Sequence, residues 1–123
     1  MYLAAIVGTR LKTWRKAPVF FWHSLRSLQQ ARQAPGQIWA GITARDGVLF
    51  SLTVWDSPAA MRAYALTGAH LAAMKAAPRL VKTVRLHHFP CASIPDWNEA
   101  LDRWRRAEHE ARDFPVANPC PAP

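Results

Sequence analysis

Residues 48–74, VLFSLTVWDSPAAMRAYALTGAHLAAM, constrain the fold more than any other stretch, because they read as an apolar strand, a capped helix, a glycine break and a new helical start. Residues 48–55 are rich in β-branched and aromatic side chains, the composition of a half-buried pleated segment. Ser57 stands where a hydroxyl can accept a free backbone N–H of the first helical turn, and Pro58 follows where a missing N–H costs nothing. Gly68 can take the left-handed conformation that ends this helix, and residues 69–76 then make a second short helical piece before Pro78.

The flanking segments complete a recognisable order. Residues 2–9 are small and apolar enough for a strand buried on both faces. Residues 17–32 place Phe20, Phe21, Leu25 and Leu28 at helical spacing, with Pro18 in the first turn and Pro35-Gly36 closing the segment. Residues 38–44 and 48–55 flank Arg45-Asp46-Gly47, and Asp-Gly between apolar runs is a strong hairpin signal. Residues 81–89 return to β character, with Val84, Leu86 and His88 on one face and Thr83, Arg85, His87 and Phe89 on the other. The result is β-α-β-β-α-β, the ferredoxin-like order of an α+β protein with an antiparallel sheet. Asp96 with Glu99 three residues on resembles a capping box, and Trp97, Leu101 and Trp104 form a stripe on an extra C-terminal helix. One domain is expected over residues 1–112, followed by a Pro-rich tail, extended and without periodicity, over residues 113–123.

Composition narrows the function classes. A chain of 123 residues that is 50% hydrophobic is sized for a single core. Cys91 and Cys120 show neither a disulfide framework nor a metal-ligand spacing, and a reducing, cytoplasmic setting is the simpler expectation. No apolar run approaches the roughly 18 residues of a membrane span. The formal charge of +8 divides into +10 over residues 1–95 and −2 over residues 96–123. Its cations are dispersed and no nucleic-acid motif accompanies them, so no nucleic-acid partner is expected, and binding of an acidic polymer is the weakest of the readings. No nucleophile elbow, phosphate loop, zinc spacing or pair of catalytic carboxylates is present, which disfavours hydrolase and nucleotide-dependent chemistry.

A four-stranded sheet with both helices on one side leaves its other side to be covered. Both alternations keep large apolar members, Ile38/Ala40/Ile42 or Trp39/Gly41/Thr43 on one strand and Phe50/Leu52/Val54 or Leu49/Ser51/Thr53/Trp55 on the next. Exposed apolar surface of that extent marks an interface, so a sheet-to-sheet homodimer is expected. The alternative cover is the Trp97/Leu101/Trp104 helix folding back over its own sheet.

Residues 50–74 resemble the dimeric α+β barrel superfamily, in particular the antibiotic-biosynthesis-monooxygenase-like and spheroidene-monooxygenase-like proteins. The residues that carry the resemblance are Trp55, Asp56, Ser57, Ala60, Met61, Tyr64 and His70, roughly a fifth of the chain being covered. The resemblance implies a dimeric α+β barrel fold. It leaves the activity open among heme-binding monooxygenases, heme-degrading enzymes, cofactor-free quinone-forming monooxygenases and relatives without an assigned activity. In the heme-using relatives a helical histidine ligates the iron, a role the resemblance carries to His70 alone, as metal ligand and cofactor-binding residue; Arg62, Arg79 or Arg85 can then meet propionates. A hydrogen-bonding structural role is the plainer alternative for His70, and heme and no cofactor stand equal.

The six tryptophans give unusual aromatic mass, suited to the wall of a pocket for a flat ligand or to the core and a dimer seam. The candidate substrate-binding set is Trp22, His23, Trp39, Trp55, Tyr64 and Met74. His87 and His88 point to opposite faces of one strand and cannot chelate one metal together. The function expected is a monooxygenase-like homodimer acting on a small, flat or polyene-like apolar molecule. The alternative is a non-catalytic small-molecule-binding dimer without a redox cofactor.

Overall fold

The computed structural model describes residues 1–113. Its elements are β1 (Tyr2–Leu11), a 3₁₀ turn (Trp14–Lys16), α1 (Ala17–Gln33), β2 (Gln37–Arg45), β3 (Val48–Trp55), α2 (Pro58–Ala65), α3 (Gly68–Leu80), β4 (Val81–Cys91) and α4 (Trp97–Asp113). The four strands form one antiparallel sheet in the order β2-β3-β1-β4, the ferredoxin-like arrangement. Asp46 and Gly47 both take positive φ, 54° and 76°, which is the backbone a two-residue hairpin needs to match the twist of β2 and β3. Ser57 accepts the Ala60 N–H at 3.1 Å and Asp96 accepts the Glu99 N–H at 2.8 Å, so both expected caps form. The tail expected over residues 113–123 lies, beyond Asp113, outside the described residues.

The break between α2 and α3 differs from expectation in a way that matters for the site. The first helix ends at Ala65, and Gly68, with φ of 61°, opens α3 rather than closing α2. The second helix then runs through Pro78 to Leu80. Proline's ring forfeits one i→i−4 hydrogen bond, to the Met74 carbonyl, and packing of the last turn with Leu80 buried outweighs that loss.

The two faces of the sheet are built from side chains of different size. Strand register places Ala4, Ile6, Phe50, Leu52, Val54 and Phe89 on the back face, where they form a buried cluster with Ala100, Leu101 and Trp104 of α4. The C-terminal helix therefore covers this face within one chain, the alternative weighed against a second copy. Trp104 seats its indole against Gly8, where an added Cβ would fall 2.4 Å from its ring, and Nε1 donates to the Arg85 carbonyl of edge strand β4 at 2.9 Å. The front face carries Ala5, Thr9, Ser51 and Thr53. Small side chains there cannot fill the space beneath α1, α2 and α3, and a cavity of about 670 Å³ results.

Candidate functional site: a cavity between the helices and the sheet

Its volume falls within the range of roughly 300–1,000 Å³ typical of small-molecule sites. The floor is Ala5, Val7, Ser51, Thr53, Val84 and Leu86 from three strands; the roof is Phe20, Ser24, Ser27 and Leu28 of α1 with Met61 of α2 and Met74 of α3. Apolar side chains predominate on both surfaces, with hydroxyl groups of Ser51 and Thr53 in the floor and of Ser24 and Ser27 in the roof.

Three histidines line it, His23 from α1, His70 from α3 and His88 from β4. Among the described residues no three His, Cys, Asp or Glu side chains group as metal ligands do, so the three imidazoles share the cavity without forming a metal cluster. His70 is the most constrained. Its Nδ1 lies 3.0 Å from the Ala65 carbonyl oxygen, which can only accept, so the ring hydrogen sits on Nδ1 and the lone pair on Nε2. Burial lowers its pKa from the ordinary histidine value, against a smaller upward effect of that carbonyl contact. A neutral ring with a lone pair at Nε2 can accept a proton or ligate a metal. His88 is shifted down as well, by burial first and by neighbouring His87 second.

The position of His70 is set by α1. The Thr67 hydroxyl donates back to the Ala63 carbonyl at 2.8 Å and makes no cap bond to α3. Gln30 supplies the missing acceptor from outside: its Oε1 takes the His70 N–H at 2.8 Å, while its Nε2 donates to the Thr67 carbonyl at 2.9 Å and the Tyr64 carbonyl at 3.2 Å. Gly68 makes room for this amide, since a Cβ there would lie 3.0 Å from Gln30 Oε1. Tyr64 packs beside His70 with tilted rings, centroids 4.7 Å apart, and donates its hydroxyl to the Ser27 carbonyl at 3.1 Å. Burial pushes the Tyr64 phenol far up, so it remains a protonated donor. Behind it Trp55 is fully buried, its centroid 5.0 Å from that of Tyr64. The Ser27 hydroxyl, on the cavity wall, has no hydrogen-bond partner among the described residues, and neither has Trp55 Nε1.

The expected substrate set divides accordingly. His23, Tyr64, His70 and Met74 line the cavity. Trp22, Trp39 and Trp55 do not, and the reasons are geometric. Trp22 sits on the outer face of α1, 53% exposed, with Arg26 over its ring at 4.8 Å. Trp39 lies on the back of the sheet against Trp97, because strand alternation sends it there with Val54. Trp55 is one layer behind Tyr64. Of the cations considered for anionic ligand groups, Arg62 lines the cavity, whereas Arg85 pairs with Gly8 in register and so faces the back; Lys82 joins Arg62 unforeseen. Gln30 and Ser27 were also missed. The signal for Ser27 is the run His23, Ser24, Ser27 and Ala31, a stripe of small and polar residues at helical spacing; Gln30 is one of several polar residues in the second half of the helix and carries no such signal.

No protein-family model and no curated protein sequence matches this chain. Solved structures do match in shape. Rv0793 from Mycobacterium tuberculosis superposes with a TM-score of 0.70 at 11% identity, over 78% of this chain and 100% of that one. A Nitrosomonas europaea protein named after the antibiotic biosynthesis monooxygenases gives 0.69 at 13% identity, over 77% and 94%. SnoaB from Streptomyces nogalater, described as a cofactor-independent oxygenase, gives 0.63 at 16% identity, over 77% and 98%. The chain thus shares its fold with these structures, and carries the C-terminal helix α4 after the last strand.

Proposed function

We propose that this chain binds a flat or polyene-like apolar molecule in the cavity and acts on it as a monooxygenase-like enzyme, with His70 as the residue that meets the reacting atoms. The observation that carries this reading is the hydrogen bonding of His70, a residue that lines the cavity: Nδ1–H is committed to the Ala65 carbonyl, which leaves the lone pair of a neutral ring at Nε2. A base so placed can take a proton from a weakly acidic C–H or O–H of a bound substrate, and the imidazolium formed stays hydrogen-bonded to Ala65. The electron-rich anion left behind can reduce dioxygen with the substrate's own electrons: for a phenol, one oxygen atom replaces hydrogen on a ring carbon to give a quinone carbonyl, the second leaves as water with the O–H and C–H hydrogens, and no further reductant is consumed. SnoaB, a cofactor-independent oxygenase of the same fold, supports this form of the reading. His23, Tyr64 and Met74 would position the substrate, and Arg62 with Lys82 would meet an anionic substituent.

The same tautomer favours a second form, in which His70 Nε2 ligates heme iron. One neutral imidazole whose other nitrogen is held by a carbonyl fits as a donor set, with Arg62 and Lys82 near propionates. When bound, heme would supply an iron centre that activates dioxygen. A homodimer and a cytoplasmic setting belong to this reading. With α4 already on the back face, a second copy would exchange that helix or use another surface.

Titration with hemin and with planar polycyclic phenols, in wild type and His70→Ala, tests the proposal. A Soret band that His70→Ala abolishes supports the heme form. Oxygen uptake with a phenol in the absence of hemin, lost in His70→Ala, supports the cofactor-free form. Binding without either signal leaves the chain a non-catalytic carrier and ends the enzymatic reading.

A further inference from the structure

Over residues 18–25 the outer side of α1 is apolar where a solvent-facing helix should be polar, whereas beyond Leu25 its exposed residues are Arg26, Gln29, Arg32 and Gln33. Val19 (49% exposed), Trp22 (53%) and Leu25 (53%) are exposed on α1 and do not line the cavity, Phe21 (42%) stands at the edge of this patch beside a smaller pocket over the sheet, and Trp14, 79% exposed, stands on the turn immediately before the helix. The inner side of the helix is taken by other residues, Phe20, Ser24, Ser27 and Leu28, which line the cavity. The charge around them has one sign. Residues 1–45 contain seven Lys and Arg and no Asp or Glu, and Lys12, Arg15, Lys16 and Arg26 flank the aromatic residues directly. Arg15 and Arg26 stack over the Trp14 and Trp22 rings, at 5.9 and 4.8 Å.

We propose that this face of α1 docks onto the surface of an anionic lipid bilayer. Tryptophan is suited to the boundary between headgroups and acyl chains, aliphatic Val19 and Leu25 to insertion just below it, and the flanking cations to acidic headgroups. A nucleic acid would satisfy the charge but leave Val19 and Leu25 in water. A second copy of the chain would cover the apolar residues but would bring this strongly basic surface against its like. Among the described residues no helix is long and apolar enough to cross a membrane, so the contact is a peripheral one. Because the inner side of the same helix lines the cavity, docking would bring a site for apolar molecules alongside the phase in which such molecules dissolve.

Co-sedimentation of the full chain with vesicles tests this, using phosphatidylcholine alone and phosphatidylcholine with about a third phosphatidylglycerol. The expected result is binding at least about tenfold tighter to the anionic vesicles, weakened by raising salt from about 0.1 to 0.5 M. Trp22→Ser with Leu25→Ser should lower it at least about tenfold, and both positions are exposed enough for the fold to survive, checked by circular dichroism. Arg15→Glu with Arg26→Glu should lower it comparably. Three results overturn the proposal: no binding to either vesicle; binding lost with the charge variant but unchanged by the apolar one, which is polyanion adsorption; or an oligomer that the Trp22/Leu25 variant dissociates with no vesicle binding, which assigns the patch to a second copy.

Discussion

Replacing Gln30 with leucine tests whether a single amide on α1 holds the histidine-bearing junction. The substitution removes the acceptor for the His70 N–H at 2.8 Å and the donor to the Tyr64 carbonyl at 3.2 Å, both partly buried, together with an exposed contact to the Thr67 carbonyl. Water can replace the exposed contact at little cost. The His70 N–H left without a partner costs about 2 kcal/mol, whereas the Tyr64 carbonyl keeps the Thr67 N–H at 3.4 Å and loses little. With an unfolding entropy of roughly 2 cal/mol/K per residue, that loss lowers Tm by about 8 °C. Urea and thermal unfolding of the two proteins measure it. Gln30→Glu keeps an acceptor for the His70 N–H but turns a carboxylate oxygen toward the Thr67 and Tyr64 carbonyl oxygens, so it should be no more stable than Gln30→Leu, while the added negative charge near His70 should raise its pKa by NMR titration. The reasoning fails if Gln30→Leu stays within about 0.5 kcal/mol of wild type, or if His70 titrates identically in Gln30→Glu.

Two further perturbations probe the back face and the partly buried imidazoles. Gly8→Ala forces a methyl within 2.4 Å of Trp104 and 2.9 Å of Phe50, and the displaced helix should cost about 1–3 kcal/mol and alter the near-ultraviolet dichroism; wild-type stability would mean that α4 does not rest on the sheet as described. His70 and His88 have folded-state pKa values below the ordinary value of about 6.5, so the unfolded chain binds protons more readily. Stability is then complete above about pH 6.5 and declines as pH falls from there through the folded-state values. Thermal scans between about pH 7.5 and 5 should show Tm dropping on acidification, with a shallower slope in His88→Gln; a flat or rising Tm contradicts the burial of these rings.

Local chemistry alone determined the element order and most boundaries of this protein. A hydroxyl before Pro58, an acidic cap at Asp96 and the Asp46-Gly47 pair act over a few residues, so their consequences are legible without neighbours. The resemblance in residues 50–74 likewise needs only a strand, a corner and a helix. Strand alternation even separated His88 from His87 correctly, into the cavity and onto Phe89. It could not say which alternation met which helix, because both faces carry apolar residues and the choice rests on volume. Large side chains on one face mate with Trp104 and Leu101, and small ones on the other leave a chamber. Tertiary structure therefore decided that Trp39 and Trp55 belong to packing and Trp22 to the surface, and that Gln30, forty residues from His70, is its anchor. Contacts of that kind depend on where two helices come to rest over a sheet, and no periodicity within either one records it.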